Sequence, residues 1–167
     1  SASAHRHGTI VDVVSDDEIM FSAQRSGGVP IKEITNLLKT MTPLEMNRLV
    51  RKRGGLISLL GTDDLREVGR RVAEGDQWAD LVLDALALQV GKCMASLAVS
   101  LGGHIDALIV TGGMAHDKDL CERIRHCVAW LAPLSVYPGE RELEALAAGA
   151  HRVLVGEEVA HRLSDPV

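Results

Sequence analysis

Asp106-Ala107-Leu108-Ile109-Val110-Thr111-Gly112-Gly113-Met114-Ala115 is the stretch whose reading decides the fold of this chain. Ala107 to Val110 is apolar and β-branched, which predicts a strand, and it runs straight into Thr-Gly-Gly. A helical pattern follows from Lys118 to about Trp130. Paired glycines after a strand let the backbone pass close to a ligand, and free N–H groups there and at a helix N-terminus favour an anion. A nucleotide phosphate or ribose edge fits. A plain tight turn fits the same residues, because glycine is the default turn residue.

Alternation continues on both sides of this stretch. Upstream, Asp76 opens the longest predicted helix, which runs to about Leu101, is apolar on most sides and ends at Gly102-Gly103. Downstream come a short strand at Leu134 to Tyr137 and a last helix from about Glu140 to Val155. Ser164 to Val167 is expected to fray. Near the start, Thr9 to Val14 reads as a strand, Arg6-His7-Gly8 as a hairpin turn, and Glu18 to Phe21 as a possible third strand. Ile31 to Leu38 has helical spacing after Pro30. Thr42-Pro43-Leu44-Glu45 carries a Thr cap, Pro at the first helical position and Glu three after the cap. That helix ends at Gly54-Gly55, Leu56 to Leu60 is a short apolar run, and Gly61 to Val68 opens a further helix with Thr62 or Asp63 as cap. Helices alternating with apolar strands predict an α/β domain, a sheet with helices packed on it, over residues 1–167.

Composition narrows the function. The chain has 167 residues, 46% of them hydrophobic and 25% charged, which is a globular domain with an aliphatic core. Aromatic residues are 2%, too few for a base-stacking platform, and a net charge of −5 gives no basic field for nucleic acid or anionic lipid. The basic group Arg48, Arg51, Lys52 and Arg53 suits a solvated helix C-terminus before Gly54. No run of eighteen apolar residues occurs, so no membrane span is proposed. Cys93, Cys121 and Cys127 lack metal or Cys-x-x-Cys spacing and read as reduced, packed thiols of a cytoplasmic protein. The chain starts inside a strand-like stretch without Met, which reads as a piece of something longer.

Three groups could carry chemistry. Arg25, beside Ser26-Gly27-Gly28, could grip a phosphate or carboxylate through two parallel hydrogen bonds, or be a surface arginine. Asp64 and Arg66, after Gly61-Thr62, could meet a ribose or base edge, or be a cap and a surface charge. Glu140, Glu142 and Glu144 suit a first helical turn, and one of them could hold Mg²⁺ through water beside a nucleotide. Glu144 to Ala150 is rich in small residues, which suits close helix packing.

Taken together, five segments in order resemble the butyrate kinase branch of the acetate kinase-like carboxylate kinases. They are Ser3 to Gly8 with Ile10 to Val13; Arg25 to Pro30; Gly54 to Leu56 with Leu60 to Val68; Asp106 to Ala115; and Val136 to Glu140 with Glu142 to Ala147. The resemblance implies a ribonuclease-H-like domain of the acetate and sugar kinase/Hsp70/actin superfamily, with a mixed sheet flanked by helices. It implies ATP-dependent phosphorylation of a short-chain carboxylate, butyrate or a branched-chain analogue, to an acyl phosphate, with ATP and Mg²⁺ as cofactors. By position, Arg25 resembles the arginine near the transferred phosphoryl group. Asp64 and Arg66 resemble nucleoside contacts, and Gly112, Gly113 and Met114 match the adenosine loop. Glu142 is the best match to the carboxylate that helps place Mg²⁺, with Glu140 its open alternative.

The resemblance also implies a departure. A His-Leu-Gly-Gly-Gly-type phosphate loop is expected just before Ser1, and it and the whole first domain are missing. Residues 1–167 then form the C-terminal, nucleotide-binding half of a two-domain kinase, expected to be inactive alone and to pair as a homodimer. The competing expectation is a non-catalytic nucleotide-binding or dimerisation module of the actin or Hsp70 type.

Overall fold

The computed structural model describes residues 1–160. Strands β1 (Ala2–Arg6) and β2 (Thr9–Val14) form an antiparallel hairpin. His7 and Gly8 turn it with positive φ of 51° and 81°, the geometry a two-residue hairpin loop requires. Helices α1 (Ile31–Leu37), α2 (Pro43–Lys52), α3 (Gly55–Leu60) and α4 (Leu65–Ala73) follow. Next come α5 (Gln77–Ala98), β3 (Leu108–Gly112), α6 (Lys118–Val128), β4 (Leu134–Pro138) and α7 (Glu142–Leu154). Strands β3 and β4 pair in parallel, with Leu108 opposite Leu134 and Gly112 opposite Pro138. Both kinds of pairing that a mixed sheet contains are therefore present, in two separate two-stranded ribbons.

Helix α5 is the spine. Asp76 caps it by accepting from the amides of Trp78 and Ala79, both at 3.0 Å. Its length and apolar composition would allow a membrane crossing, but ten of its residues are buried inside the molecule. Leu83 and Leu86 are among the most deeply buried side chains, each stabilising the fold by about 1.5–3 kcal/mol. Val68, Leu108, Val110, Leu120 and Ile124 pack in the same cluster, so α5 joins α4, α6 and the β3–β4 ribbon. Ala4 and Val14 of the hairpin pack with Cys93 and Leu97 at the helix's other end. On the outer side, Arg123 of α6 reaches Asp80 at 2.6 Å and Asp119 at 2.9 Å, and also pairs with Asp84. Burial opposes its charge, but the three carboxylates outweigh that and raise its pKa.

Caps follow the sequence closely. Thr42 and Glu45 form the reciprocal capping box, and Arg51 and Lys52 lie exposed in the last turn of α2. All three cysteines are free thiols, and burial raises the pKa of Cys93 and Cys121. Two expectations are corrected. Glu18 to Phe21 is no strand: the Phe21 amide donates to Gln89 Oε1 at 3.0 Å, so no strand neighbour is left to take it. The cap of α4 is Asp64, not Thr62 or Asp63: the Asp64 carboxylate accepts from the Arg66 amide at 2.9 Å, whereas the Thr62 hydroxyl accepts only the Asp64 amide, ahead of the helix. The Leu56–Leu60 run is helical, as α3. Ser164 to Val167 lies outside the described residues.

Candidate nucleotide site

Arg25 sits in a loop sewn to the start of α3. Amides of Leu56 and Ile57 donate to the carbonyls of Ser22 and Ala23 at 3.1 Å each. The Gly54 amide donates to Gln24 and the Ser26 amide to Val50, at 3.0 and 2.9 Å. Glycine is required at this seam. A Cβ on Gly55 would lie 1.9 Å from the Ser22 carbonyl oxygen, and Gly55 has φ of +57°. On the other flank, a Cβ on Gly28 would lie 2.2 Å from the Glu18 carbonyl oxygen. The loop is thus pinned on both sides, and the Arg25 guanidinium pairs with Asp16, in the turn after β2, while remaining 42% exposed.

The same loop touches the start of α4. Gln24 Nε2 donates to Asp63 Oδ2 at 2.7 Å. Next to Asp63, the Asp64 carboxylate accepts from the Arg66 amide at 2.9 Å and from its guanidinium Nε and Nη2 at 2.9 and 2.7 Å. These hydrogen bonds from Arg66 lower the Asp64 pKa to about 2. One turn on, Gly69 brings α4 against Asp117: a Cβ there would lie 3.6 Å from Asp117 Oδ2. Asp117 closes the 3₁₀ turn Gly113–His116, which begins at the bend at Gly112-Gly113. A chain of contacts therefore runs from the Arg25 loop through α4 to that bend.

At the bend, Gly112 has φ of +77°, and Gly112 and Gly139 exchange amide hydrogen bonds of 3.0 and 3.2 Å. Thr111 Oγ1 donates to the Gly139 carbonyl at 3.1 Å. Gly113 is exposed, and a Cβ on it would meet nothing within 4 Å. The bend is open on that side. Met114 turns inward instead and packs against the main core. One expectation is corrected here. The helix N-terminus does not present bare amides to an anion: a 3₁₀ turn, Gly113–His116, intervenes, and Asp117 caps α6 by accepting from Leu120 N–H at 2.9 Å. A carboxylate already in place repels phosphate, so the bend suits the neutral purine and ribose rather than the phosphates.

Mg²⁺ takes one or two carboxylates and keeps waters and substrate phosphates as its other ligands. Glu140 fits that demand, its Oε1 lying 4.0 Å from the point a Cβ on Gly112 would occupy. Glu142 is the exposed first residue of α7. Among the described residues no group of three or more His, Cys, Asp or Glu could hold a metal ion unaided. A depression of about 400 Å³ lies over α5 and α6 between Leu88 and Cys127 and contains none of the candidate site residues. The candidate site is an open face. Sequence reasoning missed Asp16, Gln24, Asp63 and Asp117, whose parts depend on long-range contacts that no local pattern encodes.

Comparisons with known proteins identify the family of the chain. Residues 17–159 match the profile described as the Acetokinase family. The chain is 40% identical over 169 residues to a probable butyrate kinase of Enterococcus faecalis, covering 99% of this chain and 47% of that protein. It is 39% identical to a probable butyrate kinase of Coprothermobacter proteolyticus, covering 96% and 46%. It spans about half the length of the curated relatives it matches. Among solved structures, a propionate kinase from Francisella tularensis superposes with a TM-score of 0.69 at 26% identity, over 77% of this chain and 35% of that one. An acetate kinase of Porphyromonas gingivalis, at 20% identity, shares the fold with a TM-score of 0.81 over 91% and 46%.

Proposed function

Because the chain belongs to the acetokinase family, we propose that it is the nucleotide-binding half of a carboxylate kinase. The full-length protein transfers the γ-phosphoryl group of ATP to a short-chain carboxylate, butyrate or a branched-chain analogue. The observation that carries this reading is the Gln24–Asp63 hydrogen bond, which ties the Arg25 loop to the Asp64–Arg66 pair on one open face. In the reaction a carboxylate oxygen attacks the γ-phosphorus, the bond to the β–γ bridging oxygen breaks, and acyl phosphate and ADP leave. The attacking group is already an anion, so no general base is needed. Charge neutralisation and alignment are the main demands.

Arg25 answers the first demand. Its planar fork can exchange Asp16 for the phosphoryl oxygens and brace the charge that spreads over them. Adenosine lies against Gly112 and Gly113, with Asp64 and Arg66 at the ribose or base edge. Mg²⁺ bound with the nucleotide would neutralise phosphate oxygens, and Glu142 or Glu140 would hold one of its waters.

The exposed leucines of α7, Leu143, Leu146 and Leu154, favour a second reading, a nucleotide-binding or dimerisation module without catalysis. A hydroxamate assay on the full-length protein separates the two. ATP-dependent acyl hydroxamate from butyrate supports the kinase, and nucleotide binding without any product supports the module. The isolated chain is expected to give no turnover; robust product from it would contradict the division into two required halves.

A further inference from the structure

Arg25 is already occupied in this structure: its guanidinium is paired with the carboxylate of Asp16. The backbone holds the two partners together. Ser22 donates its amide to the Arg25 carbonyl at 3.0 Å, and Gly28 donates to the Ile19 carbonyl at 3.4 Å. The Arg25 amide donates to Ser22 Oγ at 3.2 Å. A Cβ on Gly27 would lie 2.6 Å from the backbone of Met20, so the segment after β2 runs directly against the Arg25 loop. Ser15 Oγ donates to Asp16 Oδ1 at 3.2 Å and steadies the carboxylate. Asp17 is exposed in the same turn and carries the same charge, but it has no part in the pair.

Asp16 thus presents to Arg25 a carboxylate, the same functional group that attacks phosphorus in the proposed reaction. A guanidinium fork binds one planar carboxylate, or two phosphoryl oxygens, through parallel donors. One fork cannot serve Asp16 and an incoming anion in that way at once. The chain connection keeps Asp16 at the fork at high effective concentration. Exposure to water keeps the pair able to open, with the closed form favoured by about three- to fivefold, the upper end for such pairs.

We propose that Asp16 is a built-in competitor at Arg25 and sets how tightly the protein holds the anions of its reaction. An anion reaches Arg25 only by displacing Asp16, so its apparent affinity is reduced by the fraction of Arg25 that stands open. A lone carboxylate or inorganic phosphate has a single grip on the site and bears that reduction in full. The γ-phosphoryl group of a bound nucleotide arrives at high local concentration and displaces Asp16 more readily. The contact therefore selects against anions that come to Arg25 without the nucleotide. Because Asp16 acts through Arg25, this rests on the assignment of Arg25 to the transferred phosphoryl group.

Titrations of the full-length protein with inorganic phosphate and with butyrate, read by NMR at the Arg25 guanidinium Nε–H, test this without turnover. Asp16→Asn keeps the size and the acceptor for Ser15 but removes the charge, and both dissociation constants are expected to fall about three- to fivefold. Asp17→Asn removes the same charge beside the pair and is expected to change them by less than about 1.5-fold. Adenosine, which carries no anion, should bind the parent and both variants alike. Both variants should melt within about 2 °C of the parent, since the pair is partly exposed. Equal tightening by the two variants would reduce the effect to general charge and overturn the proposal. Weaker anion binding in Asp16→Asn would make Asp16 a support for Arg25 and overturn it as well. So would unchanged constants, or an Arg25 signal that neither anion moves. Failure of the kinase reading would appear instead as missing acyl hydroxamate, with these constants untouched.

Discussion

Gln24 and Asp63 are 39 positions apart in sequence and joined by a single hydrogen bond of 2.7 Å, amide nitrogen to carboxylate oxygen. Each stands next to a residue of the candidate site, Arg25 on one side and Asp64 on the other. The bond therefore sets the distance between Arg25 and Asp64. Removing it with Gln24→Ala leaves both neighbours in place but frees the spacing. An exposed hydrogen bond to a charged group contributes about 1 kcal/mol, so phosphoryl transfer by the full-length protein is expected to fall roughly three- to tenfold. Nucleotide affinity should change less than kcat; steady-state kinetics beside direct ATP binding would read the split.

Arg25→Lys is expected to be nearly as damaging as Arg25→Ala, because an ammonium cannot offer two parallel donors. Each should lower kcat of the full-length kinase by about 100-fold or more, with ATP binding within about threefold of the parent. Equal losses of binding and turnover would instead make Arg25 a nucleotide anchor.

Glycines at the loop seam separate crowding from backbone strain. Gly55→Ala meets the Ser22 carbonyl at 1.9 Å and should cost about 3 kcal/mol or more. Gly61→Ala has the same kind of positive φ, +78°, with nothing within 4 Å, and should cost only about 1 kcal/mol. Thermal unfolding of the pair measures both. Similar losses would mean that α3 can move away from the Arg25 loop.

The Asp64–Arg66 pair predicts a pH response confined to strong acid. Asp64 has its pKa lowered to about 2 by Arg66. Its contribution is complete above the ordinary carboxylate value near 4 and is lost only as pH falls through about 2. Carbon-13 NMR titration of the Asp64 carboxyl should give that midpoint, and Arg66→Ala should return it toward ~4. An unchanged midpoint in the variant would show that the cap hydrogen bonds alone hold it.

Local chemistry made most elements legible. The Thr42–Glu45 box, the Asp76 cap and the glycines after Leu101 each act within one turn, so sequence spacing captures them. Met20 and Phe21 misled because a strand needs a partner, and Gln89 takes the amide instead. The α4 cap lies beyond Thr62 and Asp63 because it is the Asp64 carboxylate that reaches the Arg66 amide. Arg25, Asp64 and the Gly112-Gly113 bend stood out as residue types. What joins them, Gln24 to Asp63 and Gly69 to Asp117, is tertiary and left no trace in local pattern. The split of the sheet was likewise invisible, since alternation predicts strands and not which edges meet.

Gly113→Val in the full-length protein asks most directly whether adenosine lies against the bend. Gly113 lacks a positive φ, and a Cβ there meets nothing within 4 Å, so the fold should keep its melting temperature to within about 2 °C. If purine or ribose rests on that backbone, the two added methyl groups occupy its place, and the Kd for ATP should rise at least about tenfold. An unchanged Kd in a folded variant would put the nucleotide elsewhere and contradict the assignment of this face.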